Sequence, residues 1–543
     1  MKNFSLLYPE NYKSEYIILP DEACNDLSLD LICQTLSGEV FEQNIIKKIM
    51  MKIERNPDII RFRCDVFEDI MRFPKLRERI KLLLDELAYL KELEKSAKDA
   101  TAASVWQLIN RLQELDIYVN CISEINDCLT ENDIHSDGLK NLKEFVNSIY
   151  SESGFEYLRE DIKSLVNKIS SVRSISLGVN LDNRFRPVEV GIVSINDEPF
   201  SKPNFLNKFL DFSAKKSEIH NGANFDGMVK IHTVGKVTGD DPLMNNLNRT
   251  VSEMLGTTVK QLKSKLSKYV NVSGYTLTKM IPEFIFYIRW ADLIDKIIAS
   301  GVPMCKPTIT EPSKRELSAK GLYNFKLALQ KINDKDIDIV RNDIDFNENQ
   351  RIFIMTGPNR GGKTTFTQAV GLVFLLAQCG IYVPAEGAAL SPVDNIYTHF
   401  PADENQTVNL GRLGEESKRL SEIFSVATNQ SLLLFNESLA TTSFAEGLYI
   451  AKDVVKALRF LGARTIFNTH MHELACNLDV INTQIEGDSV VASLITGIHD
   501  GQRSYKVYLA PPEGVSYAQD IAKKYGVTFD QLSTSIKNNS SEK

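Results

Sequence analysis

Residues 351–379 read RIFIMTGPNRGGKTTFTQAVGLVFLLAQC. The apolar run Ile352, Phe353, Ile354, Met355 has the length and composition of a buried strand. Gly357 follows, then four residues, then Gly362, Lys363 and Thr364, which completes a phosphate-binding loop pattern. Beyond it Phe366, Ala369, Val370, Val373, Phe374 and Ala377 recur at helical spacing, so the loop is predicted to join a strand to a helix N-terminus. A chance match in a Gly-rich turn would lack both flanks. In such a loop glycines let backbone amides turn inward, the helix dipole favours anions, a lysine reaches the outer phosphates and a hydroxyl meets magnesium. Gly357, Pro358, Asn359, Arg360, Gly361, Gly362, Lys363, Thr364 and Thr365 are therefore the candidate ATP-binding residues, with ATP and Mg2+ as the expected cofactors.

Outward from this stretch, 543 residues suffice for about three or four domains with substantial cores. Basic residues number 63 and acidic ones 71, a formal charge of −8, so the chain as a whole exerts no pull on nucleic acid or anionic membrane. Any DNA contact must come from a local patch. The eight cysteines are scattered without a CxxC pair or metal spacing, and they are expected as reduced thiols of a cytoplasmic protein. The first twenty residues carry no continuous apolar h-region, and no stretch reaches eighteen uncharged apolar residues, so neither secretion nor membrane spanning is expected.

In chain order, residues 27–172 are patterned for helices: Leu76, Ile80, Leu83, Leu87 and Leu90 are spaced 4, 3, 4, 3, and Val105, Leu108, Leu112, Leu115 and Val119 are spaced 3, 4, 3, 4. Such stripes are core and carry no assigned chemistry. Ser153-Gly154-Phe155-Glu156 invites comparison with a Phe-x-Glu wedge, but the spacing is off by one and its neighbours are helical. Between Ile175 and Val237 the alternation in PVEVGIVSI and MVKIHTV predicts strands, separated by a Pro, Asn, Gly and Lys-rich segment over residues 197–227. Lys202, Lys208, Lys215, Lys216, Lys230 and Lys236 only slightly outnumber the nearby acids Asp197, Glu198, Asp211, Glu218 and Asp226, so a solvated surface is preferred to a phosphate-tracking patch. Helical periodicity returns after Asp241-Pro242 with Val259, Leu262, Leu266 and Tyr269, and runs through Phe284 to Ile298 until Gly301-Val302-Pro303.

From about Thr308 strands and helices alternate. The apolar strand Leu432-Leu433-Leu434-Phe435 ends in Asn436-Glu437, where P-loop enzymes place a magnesium-associated carboxylate and a water-polarising glutamate. Glu437 is the candidate general base, and Asn436 with Thr364 the candidate metal pair. A third strand, Thr465-Ile466-Phe467, leads to Asn468-Thr469-His470-Met471-His472-Glu473, which puts His470 where a γ-phosphate sensor would sit. HMHE on a turn is a weak zinc signal.

These motifs, in this order, resemble the MutS family of DNA mismatch repair ATPases. TGPNRGGKTTF is similar to that family's Walker A, CGIYVPA and VDNIYTHFPADEN to the segments after it, LLLFNESLATTS to its Walker B, TIFNTHMHELA to its histidine loop and GVSYAQDIAKKYGV to its helical tail. The likeness covers about residues 340–530 and is weaker upstream. It implies a mixed fold: N-terminal all-α core and lever helices with a small clamp-like insertion, then a C-terminal α/β P-loop ATPase domain. The division it implies is 1–180 helical core, 181–250 clamp-like insertion, 251–315 returning lever helices, and 316–543 ATPase with a helical dimerisation tail. On this resemblance neither the mismatch-reading and connector domains of the repair proteins proper nor a following nuclease domain is expected.

Two departures bear on the chemistry. Asn436 replaces the Walker B aspartate, and the family's Ser-Thr-Phe signature, which reaches across a dimer, aligns with Gly411-Arg412-Leu413, while Glu416 keeps the family's glutamate. Arg412 is the candidate replacement for the lost hydroxyl, acting with Glu416 on the partner's nucleotide. The resemblance thus implies an ATP-switched homodimeric clamp on DNA, duplex or branched, working with repair or recombination proteins. Two alternatives stay open: a non-hydrolysing ATP-dependent scaffold, and a binder of branched DNA without mismatch specificity.

Overall fold

The computed structural model describes residues 5–10, 16–98, 105–170, 174–184, 187–196, 275–401, 412–439, 444–499, 502–512 and 525–541, with a few single or short stretches between. MVKIHTV, the lysine-rich segment, Asp241-Pro242, Val259 and Leu262, Gly411 and most of the segment GVSYAQDIAKKYGV lie outside the described residues.

The chain forms two compact units, one of residues 1–81, 132–142 and 282–543, the other of 82–131 and 143–281. This partition differs from the linear division above: the first eighty residues belong with the P-loop domain. The second unit is helical, with Val105–Glu131 packed on Ser153–Ser170. Its stripe buries Leu112, Leu115 and Val119, as heptad-like spacing requires. The SGFE fragment opens the helix Ser153–Ser170 with Phe155 buried, so it presents no wedge. Strands Ser174–Leu181 and Pro187–Asn196 pair antiparallel as a bulged hairpin.

In the first unit six strands form one sheet in the order Ile396–His399, Leu432–Asn436, Arg464–Asn468, Gln350–Thr356, Val490–His499, Gln502–Leu509. The first five run parallel and the last antiparallel. Parallel strands are covered on both faces, which explains why Leu432–Asn436 and Arg464–Asn468 are buried at every position. One face packs against Phe444–Leu461, His472–Cys476 and Leu478–Gln484 through Leu433, Phe435, Val455, Leu458 and Phe467. The other carries the P-loop helix Lys363–Gln378.

That helix is apolar nearly all round, the mark of an element covered on two sides. Its second cover is the N-terminal segment. A side chain at Gly371 would strike Leu434 of the sheet and Leu27 of that segment, each 2.7 Å away, so glycine lets helix, sheet and segment close together. Arg63, 1% exposed, donates to the carbonyls of Leu7 and Gln378, and Gln378 Nε2 donates to the carbonyl of Glu54. A second sheet, Thr308–Ile309, Gly387–Leu390, Leu317–Leu322, Asn342–Phe346, flanks this core. Of the cysteines, six are buried, Cys305 is half-buried and Cys476 exposed, all as free thiols. No helix among the described residues is long and apolar enough to cross a membrane.

Candidate nucleotide site

The predicted loop stands between strand Gln350–Thr356 and helix Lys363–Gln378. Gly357 has φ +144°, and a Cβ there would lie 2.0 Å from Thr496 Oγ1 of the neighbouring strand. Only glycine fits between loop and sheet at this point. Gly362 caps the helix with φ +91°, and Phe366 donates to its carbonyl at 2.9 Å. Asn359 and Arg360 are exposed at the loop's tip, Arg360 in the left-handed region at φ +60°.

Lys363 is 4% exposed, and its ammonium donates to the carbonyls of Gly357 at 3.1 Å and Pro358 at 3.2 Å. Burial holds its pKa below the ordinary lysine value, and Glu437 opposes that shift. Thr364 Oγ1 donates to Asn436 Oδ1 at 2.7 Å, and Asn468 Nδ2 donates to the same oxygen. The amide oxygen of Asn436 is thus turned to the hydroxyl expected on the metal.

Glu437 follows at φ +50°, half-buried, with its N–H donating to the carbonyl of Asn468 at 2.8 Å. Ser438 is buried against His399, whose Nδ1 lies 2.7 Å from Ser438 Oγ, while Ser438 Oγ donates to the His399 carbonyl. Burial, with Arg419 nearby, holds the His399 imidazole down to about 4. His470 is half-buried, and His472 N–H donates to its carbonyl at 3.0 Å. His472 is held below the ordinary histidine pKa by burial, then by Lys363 and His470, so it lies within electrostatic reach of the P-loop lysine. Glu416 places Oε2 2.6 Å from the N–H of Leu439 in its own chain. Arg412 opens helix Arg412–Val426, and its side chain lies outside the described residues.

A pocket of about 530 Å³ joins Arg360, Gly361, Gly362, Lys363, Thr364, Thr365 and Glu437 to a region the motifs do not mark: Leu322, Tyr323, Asn324, Leu327, Asp338, Val340, Asn342 and Tyr505. This volume suits a nucleotide-sized ligand. Tyr505, at φ +54°, sets its ring against Gly362, and its carbonyl accepts from Asn342 Nδ2 at 3.1 Å. A non-glycine residue held in the left-handed region beside the loop is the one local signal of this end, and it cannot be read from residue types.

The residues present fit Mg2+ and ATP: glycine-only approaches in the loop, a buried lysine facing its carbonyls, and a hydroxyl–amide pair beside a carboxylate. Two family models match the chain, MutS domain V over residues 353–515 and the MutS2 N-terminal domain over 55–300. The DNA mismatch repair protein MutS of Chlorobium limicola is 37% identical over 180 residues, 33% of this chain and 20% of that protein. MutS of Chlorobium chlorochromatii is 36% identical over 232 residues, 42% and 25% of the two chains. DNA mismatch repair protein MutS 2 of Halobacterium salinarum is 32% identical over 189 residues, 35% and 21%. The chain spans about a quarter or less of the length of these curated relatives. With two models falling in order on the helical and P-loop parts and relatives named MutS and MutS 2 aligned, the chain belongs to the MutS family.

Proposed function

We propose that this chain binds Mg2+-ATP in the pocket above the P-loop and hydrolyses it, using the nucleotide state to switch a homodimeric clamp on DNA in repair or recombination. The observation that carries the reading is the convergence of Lys363, Thr364 and Glu437 on one pocket beside a glycine-only loop, with Asn436 hydrogen-bonded to Thr364 behind it. Magnesium, when bound, would neutralise phosphate charge and orient the outer phosphate. Thr364 and Asn436 are the residues to hold it, Asn436 through water. Gly357, Asn359, Arg360, Gly361, Gly362 and Thr365 cradle phosphate with backbone amides, Pro358, which has no N–H, shapes the turn, and Lys363 supplies the fixed cation. Glu437 orients and deprotonates the attacking water, and His470 reads the γ-phosphate. Tyr505 and Tyr323 offer aromatic surface at the base end.

Arg412 acts across the dimer on the partner's nucleotide, and repair or recombination proteins are the further partners. The names of the relatives support a DNA substrate. A non-hydrolysing ATP switch is the second reading, and Asn436 in place of a carboxylate favours it.

Affinity for matched, mismatched and branched DNA, measured with and without ATP over a salt series, tests the clamp reading. ATP is expected to change the affinity, with a steep salt slope and little preference for a mispair, and Lys363→Ala is expected to abolish the ATP response. DNA binding indifferent to ATP would overturn the switch, and strong single-mispair preference would overturn the general-clamp reading.

A further inference from the structure

We infer that Glu416 is a positioning residue for Glu437, holding in place the strained loop that carries it; the inference rests on the reading of Glu437 as the water-activating base. Glu437 at φ +50° and Leu439 at φ +64° bracket Ser438, two left-handed conformations that L-residues keep only where the surroundings impose them. Three tethers impose them. Glu437 N–H donates to the Asn468 carbonyl on one neighbouring strand at 2.8 Å, and Ser438 is held by His399 on the other. Leu439 N–H donates to Glu416 Oε2 at 2.6 Å, with the Leu439 side chain fully buried in the apolar cluster that also takes Leu420 and Leu413.

The first two tethers belong to the sheet and stay with it. The third comes from helix Arg412–Val426, one turn from its start, so a carboxylate on a separate element completes the loop. Its charge strengthens the bond to the amide. A shift of this helix reaches the backbone of Glu437 through two residues, and it changes water activation without touching the phosphate cradle.

The test compares Glu416→Ala and Glu416→Gln with wild type, reading single-turnover hydrolysis, ATP affinity and amide exchange at Leu439. Misplacing a catalytic group by about an ångström costs on the order of a hundredfold, so Glu416→Ala is expected to slow turnover about ten- to a hundredfold with ATP affinity unchanged. Glu416→Gln, which keeps an acceptor oxygen, is expected to recover most of the rate. The Leu439 amide is expected to exchange slowly in wild type and Glu416→Gln and fast in Glu416→Ala, while the Glu437 amide stays protected in all three. Where the alanine variant does not fold, Glu416→Asp, one methylene shorter, replaces it with the same expected direction. Wild-type turnover in Glu416→Ala, a glutamine variant as slow as the alanine one, or unchanged Leu439 protection overturns the inference. A wild type that binds ATP without turnover overturns the hydrolytic reading instead. Exchange then decides the tether alone: protection lost in Glu416→Ala upholds it, and protection kept overturns it.

Discussion

The hydroxyl of Thr364 donates to the amide oxygen of Asn436 at 2.7 Å, and Asn468 Nδ2 donates to that oxygen as well. Both neighbours of this oxygen are donors, so a carboxylate would be received there at least as well as an amide. At this oxygen the change is one of charge, while the amide NH2 gives way to a second acceptor. Charge-assisted contacts are about twice as strong as neutral ones, and outer-shell changes typically cost ~10- to 100-fold in metal affinity or activity. Asn436→Asp is therefore expected to raise turnover at limiting magnesium and to lower the magnesium needed for half-maximal rate. A magnesium titration checks it; an unchanged half-maximal concentration would show that Asn436 is not near the metal.

Gly357→Ala places a methyl 2.0 Å from Thr496 Oγ1 in a backbone at φ +144°. Strain and overpacking of this kind cost about 1–3 kcal/mol each. The denaturant midpoint should fall accordingly, and ATP affinity should fall with it because the loop must move off Thr496. Gly387→Ala, with open space around the added methyl, is the control and should change neither.

Stability should depend on His399. Its pKa in the fold is held down to about 4 from 6.5, so the neutral ring is the native form. The stabilisation is fully present above about pH 6.5 and is lost as pH falls through about 4, because the unfolded chain takes up the proton first. The loss amounts to about 3.5 kcal/mol at most, from about 1.4 kcal/mol per pKa unit. Urea midpoints between pH 7 and 4 should drop more steeply for wild type than for His399→Gln, and equal slopes would remove His399 as the cause.

The P-loop strand and helix are legible because an apolar run, a glycine pattern and helical spacing occur together within thirty residues. The apolar girth of helix Lys363–Gln378 also announces a cover on both sides, yet nothing in its pattern says that residues from Leu7 to Arg63 supply one of them. That pairing depends on Gly371, a glycine whose close approach to Leu27 is not visible in the chain. The base end is hidden for a similar reason. Tyr505 stands in an ordinary alternating strand, and only its left-handed backbone and its seat on Gly362 bring it to the pocket. The signature comparison points Glu416 toward a partner, whereas its carboxylate meets Leu439 of its own chain, a contact between residues 23 apart that no local period encodes.

ATP should drive self-association, since Arg412 is proposed to act on the partner's nucleotide. Arg412→Ala is expected to lower turnover about tenfold or more while leaving the monomer's ATP affinity unchanged, the pattern of a group used only in the transition state. Light scattering with and without ATP, alongside equilibrium nucleotide binding, checks both halves. A protein that stays monomeric with ATP at every concentration would rule out the trans contact.

Hydrolysis itself is tested most directly by single-turnover assays at saturating magnesium on wild type, Asn436→Asp and Glu437→Gln. Wild type is expected to convert bound ATP slowly but completely and Asn436→Asp to do so faster at limiting magnesium, while Glu437→Gln holds ATP without converting it. If wild type and Asn436→Asp both bind ATP and neither converts it, the hydrolytic account is contradicted and the ATP-dependent scaffold takes its place.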